Sequence, residues 1–213
     1  MSIAESSTDQ QIASVAEFAT AERQARLVSW LTIGWNVTEA VVALVAAFLA
    51  DSPALLGFGL DSVVESFSSF VMIWRFHHLE RGRHREKLAL RLVAISLFLL
   101  AAFVLVDASH ALIAHESPEA SYVGIALAVL SIVLMPLLAR AKRRIAARIN
   151  SGALRADAKQ TDICWYLATI LLAGVGLNAM LGWWWADPVA ALAMVPLIAR
   201  EGVLALRGET CDC

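Results

Sequence analysis

Two acidic side chains, Asp61 and Glu65, lie four residues apart in an apolar stretch of the sequence. Residues at this spacing share one face of a helix, and two ionised carboxylates on one face repel each other. One interpretation is a structural hydrogen-bonded pair between helices. However, the cores of the apolar stretches contain no Lys or Arg that could act as a partner. We therefore expect bound cations or protons to compensate the two charges.

A second group of polar residues lies near the start of a later apolar stretch, where Gln160 and Cys164 are also four residues apart. Two carboxylates, an amide oxygen and a thiolate are a suitable donor set for a four-coordinate divalent metal such as zinc. The thiolate would favour softer ions. The alternatives remain open, because a free Cys often packs as a small apolar residue and amides commonly hydrogen-bond between membrane helices.

The elements that must position these residues are apolar stretches long enough to cross a bilayer. Of the 213 residues, 59% are hydrophobic, whereas soluble domains are usually about 45–50% apolar. Because a membrane helix needs about 20 apolar residues, the sequence predicts an all-α membrane protein with six transmembrane helices. Their approximate ranges are 27–50, 53–76, 88–113, 122–138, 153–181 and 188–206.

The distribution of basic residues predicts the orientation of these spans. All 17 Lys and Arg residues fall before the first span, in the second and fourth connections or at the span edges next to them, or at the C-terminal end. Basic residues concentrate on the cytoplasmic side of membrane proteins, so both termini are expected there, in a multi-pass protein of the cell membrane. The predicted parts are a cytoplasmic segment 1–25, a transport domain 26–206 and a tail 207–213.

Depth in the membrane relates the two polar groups. Glu65 precedes Arg75 by 10 residues, and Cys164 follows Arg155 by 9 residues. At 1.5 Å per residue, both side chains lie roughly 14–15 Å from their basic margins. The sequence thus predicts that Asp61, Glu65, Gln160 and Cys164 meet near the middle of the membrane and form a metal site.

Three motifs in the chain resemble the membrane domain of the cation diffusion facilitator family. In the second span, Asp61 and Glu65 take the two ligand positions of that family's acidic motif. In the fifth span, Gln160 stands where His is usual and Cys164 where Asp is usual. The resemblance extends over roughly residues 25–206, and since the sequence ends at Cys213, we expect a short branch without the family's C-terminal cytoplasmic domain. The matching segments read LLGFGLDSVVES (55–66), ADAKQ (156–160) and ADPVAA (186–191).

The resemblance implies a secondary transporter that exports a divalent cation such as zinc or cadmium by proton antiport, and not an enzyme. The implied partners are the metal ion, protons, membrane lipid and a second copy of the chain, with no permanently bound cofactor and no nucleic acid. Two other hypotheses remain. One is a thiol-based membrane redox protein that uses Cys164, Cys211 and Cys213. The other is a membrane partner that binds metal or another transporter without transporting.

Four further acids have less specific interpretations. Glu39 either carries protons or hydrogen-bonds between helices, and the second interpretation is favoured. Asp157 either assists metal entry or pairs with a Lys or Arg. Asp162 lies off the face that carries Cys164, so we expect it to bond a neighbouring helix. Asp187 precedes Pro188, a pattern typical of a helix N-cap.

Overall fold

A computed structural model describes residues 2–76, 83–149 and 152–207 of the chain. This part is helical and contains no strand, so the predicted all-α class is confirmed for the described residues. Each helix contains one of the predicted apolar stretches, but α1 begins 25 residues before its stretch and α4 ends ten residues after its own. The six helices are α1 (Ser2–Ala50), α2 (Pro53–Phe76), α3 (Arg83–Ala114), α4 (Tyr122–Arg148), α5 (Gly152–Leu181) and α6 (Ala186–Arg207).

Five of these helices have the length and apolar composition of a membrane span, which makes the chain a multi-pass membrane protein. This count covers only the residues whose side chains the structure describes, and these include only part of α2. The six-span count and the cytoplasmic position of both termini stay predictions. The five segments are Thr20–Ala50, Ala94–Ala114, Tyr122–Arg148, Asp157–Leu181 and Ala186–Arg207.

α2 lies at the centre of the bundle and packs against α1, α3, α5 and α6, while α4 packs against α5 and α1. Small residues allow these helices to approach closely, as is usual in membranes. A Cβ added to Gly174 of α5 would lie 2.4 Å from the Cβ of Ala190 of α6. Large apolar side chains point outward instead, for example Val41, Val45 and Phe48 of α1. The polar residues of α2 are therefore enclosed by its neighbours.

The expected N-cap role of Asp187 for the sixth helix is wrong. α6 already begins at Ala186, and Asp187 is buried within its first turn. Its carboxylate accepts hydrogen bonds from Ser52 Oγ (2.5 Å) and from the backbone N–H of Ala54 (3.1 Å). Asp187 thus satisfies donors at the start of α2, where unpaired N–H groups and the helix dipole favour a negative charge. This contact fixes the N-terminal end of α2 against α6.

Candidate functional site

Three carboxylates come together in the interior of the bundle. Asp61 and Glu65 project from one face of α2, and Glu39 projects from α1 toward them. All three side chains are buried, and Glu65 is only 1% exposed. Because intramembrane acids are costly and usually functional, we call Glu39, Asp61 and Glu65 the acidic cluster.

Glu39 joins three helices through hydrogen bonds. Its carboxylate accepts one from Ser62 Oγ of α2 (2.9 Å) and one from Ser131 Oγ of α4. The interpretation of Glu39 as a helix-to-helix hydrogen-bonding residue is therefore confirmed. Its sequence signal was weak, because both serine partners lie far away along the chain. A role in carrying protons stays a prediction.

Thr161 and Cys164 of α5 lie next to the acidic cluster. Thr161 Oγ1 lies 3.3 Å from Glu65 Oε1. The buried thiol of Cys164 contacts Glu65, and its Sγ lies 4.0 Å from Glu39 Oε2. Cys164 is a free cysteine. The structure thus brings Asp61, Glu65 and Cys164 together at one level of the bundle.

Gln160 lies at the edge of this arrangement. Asp157, Thr161 and Cys164 form one buried stripe of α5, whereas Gln160 is half-buried. At 3.6 residues per turn, Gln160 is rotated by about 60° from Asp157 around the helix axis. Thr161, which sequence reasoning did not single out, is one residue of α5 that bonds Glu65.

A buried lysine contradicts the prediction that the acids have no basic partner. Lys142 is 0% exposed, and its Nζ lies 2.8 Å from Asp157 Oδ2 and 2.9 Å from Thr161 Oγ1. Its charge also acts on Glu65. The prediction failed because the fourth span was ended near Leu138, whereas α4 continues to Arg148. Lys142 therefore lies in a helix and not in a basic connection.

A signal for this burial is present in the sequence. Lys142 belongs to a row of positions separated by three or four residues, and these positions form one face of a helix. The other members are small or apolar and are buried against neighbouring helices. The row consists of Ser131, Met135, Ala139, Lys142 and Ala146.

The same contacts decide between the two interpretations of Asp157. It pairs with a lysine, and its second carboxylate oxygen accepts a hydrogen bond from Ser69 Oγ of α2 (3.1 Å). A role in metal entry stays a prediction. Asp162 bonds a neighbouring helix as expected, since its partner is Arg143 of α4.

A further acid was missed by sequence reasoning. Glu201 of α6 is partly buried and close enough to Asp61 and Glu65 for their charges to repel it. Its signal is an acidic residue inside the sixth apolar stretch, next to Arg200. It adds a fourth helix to those that direct carboxylates toward this part of the bundle.

Some polar atoms around the acidic cluster lack a hydrogen-bond partner. Within the described residues these are Glu65 Oε2, both amide atoms of Asn36 and Trp35 Nε1. Buried polar atoms are normally satisfied by protein, water or an ion. Glu65 Oε2 and the amide of Asn36 lie next to each other, since Asn36 and Glu65 are close enough to interact, and they place two further oxygen acceptors beside the cluster.

The arrangement is not a closed metal site. Across the described ranges, no three His, Cys, Asp or Glu side chains converge closely enough to hold a metal ion. Serines bond Glu39, while Lys142 bonds Asp157. A cation that takes Asp61, Glu65, Gln160 and Cys164 as ligands therefore requires side chains or helices to shift. Cys211 and Cys213 lie outside the described residues.

Comparison with known proteins shows which family this chain is similar to. Residues 29–208 match the family model for the cation efflux transmembrane domain. Transmembrane protein 163 of Xenopus laevis is 30% identical over 138 residues, which are 63% of this chain and 49% of that protein. An uncharacterized transporter of Synechocystis sp. is 29% identical over 183 residues, which are 81% of this chain and 58% of that protein. The chain thus spans about half the length of these relatives.

Proposed function

The chain belongs to the cation efflux family, and from that premise we propose that it is a secondary transporter exporting divalent metal cations from the cytoplasm. The cargo would be zinc or a similar ion such as cadmium, exchanged for protons across the cell membrane. The match over residues 29–208 supports the transporter class, as does the relative that carries the name of a transporter.

The observation that carries this proposal is the acidic cluster beside Cys164. Carboxylates directed from α1 and α2 meet a thiol from α5 inside the membrane-spanning bundle. Glu65 Oε2 and Asn36 Oδ1 add two further oxygen acceptors. Ionisable groups at such positions in membrane proteins mark ion pathways.

The donor set supports a divalent and moderately soft ion. Asp61 and Glu65 supply hard oxygen ligands, Gln160 supplies an amide oxygen, and Cys164 supplies sulfur. Zinc accepts oxygen, nitrogen and sulfur donors in tetrahedral geometry, and a thiolate favours zinc or cadmium over magnesium or calcium. Since Gln160 lies at the edge of the buried stripe of α5, a small rotation of α5 would bring it toward α2.

Coupling to protons follows from the chemistry of the ligands. Carboxylates and thiols bind metal in their deprotonated forms, so metal binding releases protons. Protons that return from outside would reload the same groups and free the metal there. Rocking of one group of helices against the other would expose the site to each side in turn.

The direct test measures metal and proton flux in proteoliposomes for a panel of divalent ions. The variant Asp61→Asn removes a ligand charge but keeps the side-chain size. It should lower metal flux at least about tenfold, the smaller end of the losses usual when support of a metal site is removed. Asp162→Asn changes an acid of α5 that pairs with Arg143 on the surface, and it should transport normally. Wild-type flux in Asp61→Asn would contradict the proposed site.

The same measurement separates the other two hypotheses. A thiol redox protein would carry no metal flux, and it would lose its redox activity in Cys164→Ser but not in Asp61→Asn. The burial of Cys164 argues against it, because reactive cysteines are accessible to their partners. A non-transporting partner would bind metal without flux. The homodimer implied by the family resemblance stays a proposal, which the mass of the protein–detergent complex would test.

A further inference from the structure

Lys142 stands apart from the other basic residues of this chain. Among the Lys and Arg side chains that the structure describes, it alone is buried. Its Nζ contacts Asp157 Oδ2 at 2.8 Å and Thr161 Oγ1 at 2.9 Å. A buried lysine in a membrane span is costly and usually linked to an ion pathway. The proposed ligand set leaves this residue without a role.

Contacts connect Lys142 directly to the acidic cluster. The ammonium donates to Thr161 Oγ1, and that hydroxyl lies 3.3 Å from Glu65 Oε1. Glu65 in turn contacts Cys164. Only one hydroxyl therefore separates Lys142 from a proposed metal ligand, and the lysine lies at the end of the cluster nearer the basic connections.

The balance of charge makes Lys142 more than a local partner of Asp157. In the part of the chain with described side chains, the buried acids near this position are Glu39, Asp61, Glu65 and Asp157. Lys142 is the one buried cation there. Two unit charges at such separations interact strongly where water is excluded. A divalent cation that enters beside Glu65 would therefore repel the ammonium and compete with it for the same carboxylates.

We propose that Lys142 is a tethered cation that competes with the transported metal ion. In the absence of metal its ammonium occupies the Asp157–Thr161 end of the acidic cluster and neutralises part of the charge. Metal binding displaces the ammonium, and its return helps to expel the metal. This inference rests on the proposed function, since it assumes that the acidic cluster binds a divalent cation.

A purely structural role makes a different prediction. If the pair Lys142–Asp157 only attaches α4 to α5, then removal of the lysine loosens the site and leaves metal affinity unchanged or weaker. If Lys142 competes with the metal, then its removal strengthens binding. The sign of the change in Kd therefore separates the two roles.

The experiment measures Kd for Zn²⁺ and for Cd²⁺ with the full chain in nanodiscs, by equilibrium binding of the metal alone. Lys142→Gln should lower Kd at least about tenfold. Arg143→Gln is the matched control, because this neighbour on α4 also pairs with an acid of α5 but is half-exposed. It should leave Kd within about twofold of the wild type. An unchanged or higher Kd in Lys142→Gln would overturn the inference.

A second measurement needs no variant at Lys142, in case Lys142→Gln does not fold. The wild type is treated with an amine-labelling reagent with and without Cd²⁺, and labelling is followed by mass spectrometry. Metal should increase labelling of Lys142 relative to Lys159, which is exposed throughout. Unchanged labelling of Lys142 with metal bound would overturn the inference about Lys142 but not the proposed function. A wild type that binds no divalent metal at all would overturn the proposed function as well.

Discussion

Two ion pairs join α4 to α5, and they differ in little except their surroundings. Lys142–Asp157 and Arg143–Asp162 involve neighbouring residues of α4 and acids five positions apart on α5. The side chains of the first pair are 0% and 3% exposed, whereas those of the second are 46% and 37% exposed. Exposed pairs contribute little to stability, while breaking a buried pair leaves an uncompensated charge. A rotation of about 100° between consecutive residues therefore separates an energetically important pair from a nearly neutral one.

The largest effect is expected when the buried pair is broken. Lys142→Ala should lower the free energy of unfolding in detergent by about 3 to 5 kcal/mol, since Asp157 would remain buried without its partner. Denaturant-induced unfolding followed by circular dichroism would measure it. The double variant Lys142→Met/Asp157→Leu removes both charges and should recover most of the loss. A loss below about 1 kcal/mol in Lys142→Ala would show that the first pair is no stronger than the second.

An intermediate effect is expected where an uncharged donor holds a buried acid. Ser131→Ala removes one of the two serine hydroxyls that bond Glu39. It should lower the free energy of unfolding by about 1 to 3 kcal/mol, because a carboxylate oxygen loses its partner. Thr169→Ala is the control, since Thr169 is exposed and bonds only the backbone of its own helix. Equal effects of the two variants in the same unfolding assay would refute the role of Ser131.

The smallest effect is expected at the exposed pair. Arg143→Gln should lower the free energy of unfolding by no more than about 1 kcal/mol. Metal flux in proteoliposomes should stay at the wild-type level, because neither Arg143 nor Asp162 contacts the acidic cluster in the described structure. A strong loss of flux would mean that the surface pair also takes part in transport, and the contrast between the two pairs would no longer hold.

Several features of the fold follow from local sequence. The second helix has the predicted range 53–76, and the ends of the first and fifth helices at Ala50 and Leu181 agree as well. Apolar length and the turns between stretches are local properties, so they can be read from the chain. The end of α4 was predicted ten residues too early, because a run of basic residues resembles a connection between spans. In the structure this run continues the helix.

The candidate site was only partly accessible to the same reasoning. The shared face of Asp61 and Glu65 follows from their spacing, and the common depth of Glu65 and Cys164 follows from the distance to basic margins. The interaction of Thr161 with Glu65, and the serines that bond Glu39, depend on how helices are rotated against one another. No local pattern specifies those rotations.

Composition and spacing were enough to predict a helical, membrane-spanning chain that carries two acids four residues apart. These properties arise from composition and periodicity, which act within one helix. The packing of the helices, in contrast, was needed to show that Lys142 faces inward while Arg143 faces outward, and that Asp187 accepts hydrogen bonds from the start of α2. Such contacts join residues that are distant in sequence, and they depend on packing between helix surfaces. Of the two acids predicted to need a cation, Glu65 thus already has the charge of Lys142 nearby, supplied by α4 of the same chain.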